Sequence, residues 1–261
     1  MILLTGSHGW IGTRLREMYP DKFLLYDLEI GKDILDYYQL LKDAQKCTKV
    51  IHLAGVTGIP FSTDNPNLYY ENNVLGTMNV ARICSLLKIP LIYASTDSVE
   101  MRNNHYSMSK LAGERVIDAE RCQRGLKAGI LRFPNPYGPN MRENYVFPIF
   151  LKRLKAGEDI TLQNGGNQKK DFIYIDDLCQ IINSHEPSEN VYYASSGERR
   201  SIKDLATIMK GLIKSDSKMV ITKGRDGEVD DYKEHEFIKI GEDLTSLEEG
   251  IYKYVKFYNH S

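Results

Sequence analysis

The chain has 261 residues, 42% of them hydrophobic and 26% charged, enough for a substantial core but short for two independent domains. With 34 basic and 35 acidic residues the formal net charge is −1, which argues against a nucleic-acid or anionic-membrane footprint. No run approaches the roughly 20 apolar residues of a membrane-spanning helix.

In chain order, the opening Met1–Gly6 is not read as a secretory leader, because no basic segment precedes its three-residue apolar run. Short apolar runs then alternate with stretches of helical periodicity, the pattern of a parallel sheet flanked by helices. Strands are predicted at Ile2–Leu4, Phe23–Tyr26, Val50–Leu53, Leu91–Ala94 and Ile130–Phe133. Helices are predicted over Ile11–Met18, Pro66–Leu87 and Tyr106–Arg121, the last with an apolar face from Leu111, Ala112, Val116 and Ile117. Proline and glycine thicken across Phe133–Pro139 and mark the end of a first unit over residues 1–140. Beyond it come a helix near Phe147–Ala156, an extended run Asp171–Ile175 and a short helix Asp176–Ile182. A strand Val191–Ala194 and a helix Ile202–Ile213 follow, and the charged, glycine-bearing Lys223–Asp231 reads as a surface loop. Residues 171–195 are expected to return to the first unit, leaving 141–261 mainly as a smaller lobe. Four scattered cysteines predict no zinc site, no disulfide framework and no metal, and reduced thiols fit a cytoplasmic protein.

Thr5-Gly6-Ser-His8-Gly9-Trp10-Ile11-Gly12 follows the first strand and opens the first helix. Glycines there allow a sharp turn and let a pyrophosphate approach the unpaired N–H groups at the helix start. Asp27 ends the second strand, where a carboxylate can accept hydrogen bonds from both ribose hydroxyls of a dinucleotide. The surrounding Tyr26-Asp-Leu-Glu29 is acidic and lacks the basic residue that would meet a 2′-phosphate, so NAD is favoured over NADP. Asp33-Ile34 suits an edge contact to adenine, with a merely solvated loop aspartate as the competing reading.

Tyr106-Ser-Met-Ser-Lys110 places a phenol and an ammonium one helical turn apart. A nearby cation favours the phenolate and makes such a tyrosine a usable acid/base. Thr96 ends the fourth strand, at the edge where parallel sheets bind ligands, and can share a substrate oxygen with Tyr106. The alternative for Thr96 is a plain turn or cap residue.

As a set, the glycine spacing, Val50-Ile-His-Leu-Ala54, Asn73-Val-Leu-Gly-Thr77, Ser95-Thr-Asp97 and Tyr106…Lys110 resemble the extended short-chain dehydrogenase/reductases. The similarity is to the NAD-dependent nucleotide-sugar epimerase/dehydratase family. It continues through Arg132–Pro139, Lys170–Asp177 and Ser246–Gly250, over essentially the whole chain. It implies an α/β fold: a Rossmann-like, doubly wound parallel sheet with a smaller C-terminal α/β substrate lobe. The implied cofactor set is Gly6, His8, Gly9, Trp10, Ile11, Gly12, Asp27, Asp33, Ile34, Leu53, Ala54, Gly55, Asn73, Ala94, Tyr106, Lys110 and Phe133. Tyr106 would act as acid/base on the sugar oxygen, Lys110 would hold the ribose and tune Tyr106, and Thr96 would orient that oxygen. Thr96, Asp97, Asn135, Lys170 and Arg225 form the implied nucleotide-sugar set, although each of the last three can also be read as a solvated surface group. Lys170 stands where the family usually has arginine, so a point charge replaces a bidentate fork. A homodimer through the helices Pro66–Leu87 and Tyr106–Arg121 is implied by the same resemblance.

Two departures shape the expected reaction. Only ten positions separate Thr96 from Tyr106, a dozen or more fewer than in relatives, so the excursion near the sugar is trimmed. Dehydratases of the family place Asp-Glu after the threonine, whereas here Asp97 is followed by Ser98, which cannot abstract a carbon-bound proton. Dehydration is therefore disfavoured. A 4-epimerase is placed ahead of a 4-ketoreductase, and a non-enzymatic cofactor sensor is the reading from a different class. His8, His52 and His105 are assigned core or loop roles, and Trp10 is expected to pack the first helix.

Overall fold

The computed structural model describes residues 1–100, 103–223 and 238–259. In chain order the elements are β1 (Ile2–Thr5), α1 (Trp10–Met18), β2 (Phe23–Tyr26), α2 (Tyr37–Ala44), β3 (Lys49–His52), α3 (Ile59–Asp64) and α4 (Pro66–Tyr70). A π-helical run Glu71–Gly76 leads into α5 (Thr77–Leu87), followed by β4 (Leu91–Thr96), a 3-10 turn Asp97–Glu100, α6 (His105–Arg124), β5 (Ala128–Phe133) and β6 (Asn135–Tyr137). Then come α7 (Val146–Lys155), β7 (Ile160–Gln163), β8 (Lys169–Tyr174), α8 (Ile175–Ser184), β9 (Val191–Ala194) and β10 (Arg199–Ser201). The chain closes with α9 (Ile202–Ile213), β11 (Met219–Thr222), β12 (Ile238–Ile240) and α10 (Leu247–Asn259). It divides into two compact units, one of Met1–Phe133, Cys179–Ala194 and Glu236–Ile240, the other of Pro134–Leu178, Ser195–His235 and Gly241–Ser261.

The first unit is built on a seven-stranded parallel sheet in the order β12-β9-β5-β4-β3-β1-β2. Such a sheet is covered on both faces, so its strands are apolar throughout rather than alternating, and every residue of β3 and β4 is buried. Leu3, Val50 and Leu91 stand in register and pack with Leu40, Val80, Cys84 and Ile117 from α2, α5 and α6. Their neighbours Leu4, Ile51 and Ile92 turn to the opposite face, where α1 and the C-terminal part of α8 touch through Cys179 and Ile11. The order in which successive strands are added reverses between β1 and β3, which flank the switch point where doubly wound sheets bind ligands at their C-terminal ends.

One expected helix differs. Pro66–Leu87 is not continuous α-helix but α4, a π-helical run and α5. The wider turn carries Asn73, fully buried, toward the end of β3, and such bulges gather at functional sites.

The second unit holds a three-stranded sheet, β10-β8-β6, and a parallel pair, β11-β7. Its core is aromatic: Tyr137 stacks on Phe147 at 4.3 Å, with Phe172, Tyr174 and Tyr254 around them. A capping box between Ser201 and Asp204 starts α9. Among the described residues no helix is long and apolar enough to cross a membrane. Lys223 begins the predicted surface loop, and the rest of that loop lies outside the described residues.

Candidate active site

The glycine turn sits at the switch point. Gly6 has φ +72°, and a Cβ there would come within 2.6 Å of the Ala54 nitrogen on the loop after β3. At Gly12 a Cβ would lie 2.2 Å from the Gly6 carbonyl, so only glycine lets α1 start this close to β1. Gly9 caps α1 without a side-chain bond, and the first turn, with Trp10, Ile11 and Gly12, holds no acidic residue. A helix start of this kind, with the positive end of its dipole at the turn, favours an anion.

Asp27 accepts the His8 N–H at 2.8 Å through one carboxylate oxygen and the Glu29 N–H at 3.1 Å through the other. The carboxylate thus anchors the glycine turn while keeping lone pairs for ribose hydroxyls. His8 contributes its backbone; its ring meets the Ser7 hydroxyl at 3.1 Å. Lys32, the cation that follows β2, pairs with Asp43 at 3.0 Å and donates to the Leu25 carbonyl.

Ile34 is almost wholly buried, against the position a Cβ on Gly76 would fill. Asp33 accepts the Leu35 N–H through its side chain and the Tyr26 hydroxyl through its carbonyl. Leu53, Ala54 and Gly55 form the exit of β3, with Leu53 and Ala54 donating N–H to Thr5. Asn73 clamps this exit: its carbonyl accepts the Val56 N–H at 2.8 Å, and its amide donates to the Val56 carbonyl and the Ser109 hydroxyl. Ala94 and Phe133 are buried in β4 and β5.

Beside this turn the structure gathers the second group. Thr96 ends β4, where its hydroxyl accepts the Ser98 N–H at 3.3 Å and lies 3.1 Å from the Ser98 hydroxyl. The Ser107 hydroxyl donates to Ser98 in turn, giving a buried hydroxyl chain from β4 to α6. Thr96 is therefore a turn-capping residue as well as a candidate substrate ligand. Asn104 caps α6 by accepting the Ser107 N–H, which fixes the helix start one residue before the half-buried Tyr106. The Tyr106 ring meets Tyr69 edge to face at 6.2 Å.

Lys110, one turn later, is buried with its ammonium 4.2 Å above the Tyr93 ring. Burial pulls it down to about 7, against the opposing pull of Glu114 one turn further along. His52 lies beneath, its ring between the Thr5 and Thr77 hydroxyls, and burial with the nearby Lys110 holds it neutral at about 3. It has the core role the sequence suggests. His105 is exposed, 3.3 Å from the Tyr70 hydroxyl.

Sequence reasoning missed the charged group behind this face. Glu114 accepts two bonds from Arg132, at 2.9 and 2.7 Å, and a third from Ser95 at 2.6 Å. Arg132 also reaches Glu100 and the Tyr193 hydroxyl. The only sequence signal was the four-residue spacing of Lys110 and Glu114.

Asn135 and Lys170 belong to the second unit. Asn135 donates to the Asp171 carbonyl at 3.1 Å, and half-buried Lys170 stands opposite Arg200 on β10. Asp171 itself holds the Ser195–Gly197 loop through Ser195, Ser196 and the Gly197 N–H. Arg225 lies outside the described residues. Among the described residues no cluster suits a metal ion, and all four cysteines are free thiols.

Against known proteins, a family model described as the NAD dependent epimerase/dehydratase family matches residues 2–184. A putative UDP-glucose 4-epimerase of Methanocaldococcus jannaschii is 27% identical over 307 residues, covering 100% of this chain and 99% of that protein. The UDP-glucose 4-epimerase of Thermotoga maritima, solved with UDP-glucose, superposes with a TM-score of 0.83 at 20% identity, covering 99% of this chain and 98% of that one. A dTDP-glucose 4,6-dehydratase from Streptomyces venezuelae, solved with NAD, gives 0.81 at 20% identity, covering 100% and 97%. These two structures share the fold with this chain.

Proposed function

The chain belongs to the NAD dependent epimerase/dehydratase family, and we propose that it is a nucleotide-sugar 4-epimerase acting through a transient 4-keto sugar. The observation that carries this reading is the end of β4. Thr96 is presented beside the Tyr106–Lys110 helix, and Ser98, bonded into a hydroxyl chain, stands at the sequence position where the family resemblance puts a dehydratase's second carboxylate.

Bound NAD supplies a hydride acceptor and donor. Tyr106 would take the proton of the sugar C4 hydroxyl in the oxidation to the 4-keto sugar and return it to the same oxygen in the reduction that gives the epimer. Protonated Lys110 favours the phenolate of Tyr106, and Thr96 donates to the same sugar oxygen. Asn135, Lys170 and Arg225 are assigned a role at the substrate phosphates by the family resemblance.

NAD is preferred to NADP because Asp27 would face a 2′-phosphate and the nearby Lys32 is already paired with Asp43. A homodimer through the helices is supported by exposed apolar side chains on them, among them Leu68 of α4, Leu75 of the π-helical run, Met78 of α5 and Met108 of α6. A 4-ketoreductase is the second reading, favoured by the short Thr96–Tyr106 connection.

The test is a panel of UDP-linked hexoses and uronic acids, the class named for the relatives, followed by proton NMR and NADH absorbance. The 4-epimerase reading expects C4 interconversion with no net change in cofactor. Stoichiometric loss of added NADH on 4-keto sugars, without interconversion, replaces it with the reductase.

A further inference from the structure

Thr96 and Tyr106 come from different elements, yet the proposed chemistry needs both on one oxygen. What sets their relative place is visible in the buried charges behind them. Ser95, immediately before Thr96, donates to Glu114 on α6. Glu100, at the end of the turn that follows Thr96, is held by Arg132 and by the Tyr193 hydroxyl at 2.8 Å. Arg132 stands beside Ser95 in the β4–β5 register and beside Tyr193 in the β5–β9 register. Its guanidinium grips Glu114 with two N–H groups and reaches Glu100 with a third. A single planar cation thus ties both flanks of Thr96 to the helix that carries Tyr106 and Lys110.

We propose that Glu100, Arg132 and Glu114 act as positioning residues that fix Thr96 against the Tyr106–Lys110 face of α6. The clamp does the work that a longer connection between Thr96 and Tyr106 could do by packing. Glu114 has a second effect. Lys110 faces Tyr93 from β4, His52 from β3, and Tyr106 and Glu114 on its own helix; Glu114 is the carboxylate among them that supports its charge, beside the face of the Tyr93 ring. The catalytic consequence rests on the epimerase reading above.

Glu114→Gln and Glu100→Gln keep the side-chain shape and remove one charge each. Both are expected to lower kcat about 100-fold with KM and NAD affinity little changed, as a misplaced reacting group does. The alkaline limb of the rate profile should move about one pH unit lower in Glu114→Gln and stay in place in Glu100→Gln. Arg132→Lys, which keeps charge but loses the fork, should behave like Glu100→Gln. Normal kcat per NAD-loaded site, with only a lowered Tm, would overturn the proposal. If the wild-type protein interconverts no nucleotide sugar, the functional reading fails separately. Hydrogen exchange of residues 95–100 in NAD-loaded protein then decides: faster exchange in Glu100→Gln supports the clamp, and unchanged exchange refutes it.

Discussion

Two buried bases, His52 and Lys110, lie near each other under the glycine turn, and burial drives both toward the neutral form. For His52 the folded value of about 3 lies below the usual ~6.5. The unfolded chain therefore binds more protons between these values, and the stabilising contribution is complete above pH ~6.5 and lost as pH falls toward 3. His52→Asn should be less stable at pH 7 and flatten the acid limb of the urea-unfolding profile by about 1.4 kcal/mol per pH unit.

Lys110 has the same sign over a higher window, from about 7 up to the ordinary lysine value of ~10.4. Its charge is a burden to the NAD-free protein at pH 6. Lys110→Met is expected to raise Tm there while lowering kcat by roughly 100-fold or more, since the phenolate of Tyr106 loses its cation. Thermal scans and turnover moving in opposite directions would mark the residue as functional. A fall in both would assign it to packing.

At the scale of elements, Asn73 joins three segments: the π-helical run, the loop after β3, and α6 through Ser109. Asn73→Ala leaves the half-buried Val56 N–H and carbonyl without that partner, at a cost of about 1–2 kcal/mol in chemical denaturation. NAD affinity should fall with it, because the Gly55–Val56 backbone loses its clamp.

The legibility of these elements follows from their physics. Strands buried on both faces appear as uninterrupted apolar runs, so β1 to β5 and β9 could be read directly, and α6 announced itself through its apolar face. The break in Pro66–Leu87 could not be read, since a π-turn keeps helical composition. The C-terminal helix α10 was hidden by Gly250 in its interior. Only the fold shows why that glycine is there: a Cβ would meet the Tyr137 hydroxyl at 1.9 Å. The glycine turn, Asp27, Thr96, Tyr106 and Lys110 were legible because their chemistry follows local order along the chain. The Arg132 clamp was not, because Tyr193 meets Arg132 only through the placement of β9 beside β5.

For the whole molecule, the proposed dimer contact would lie where Leu68, Leu75, Met78 and Met108 are exposed. Association through it would bury Leu75 and Met78 together. Met78→Glu is expected to shift the protein from dimer to monomer in sedimentation velocity, with Tm falling by a few degrees, as a charge in an apolar interface is costly. A monomeric wild-type chain would remove the dimer proposal and leave the hydride chemistry untouched.

In the proposed reaction one hydride leaves the sugar C4 and comes back to it. Its most direct test is a nucleotide sugar carrying deuterium at C4, converted by the enzyme with its bound NAD and read by NMR. The product epimer is expected to keep the deuterium at C4. Deuterium delivered to C6 with loss of water, or lost to added cofactor, would contradict it.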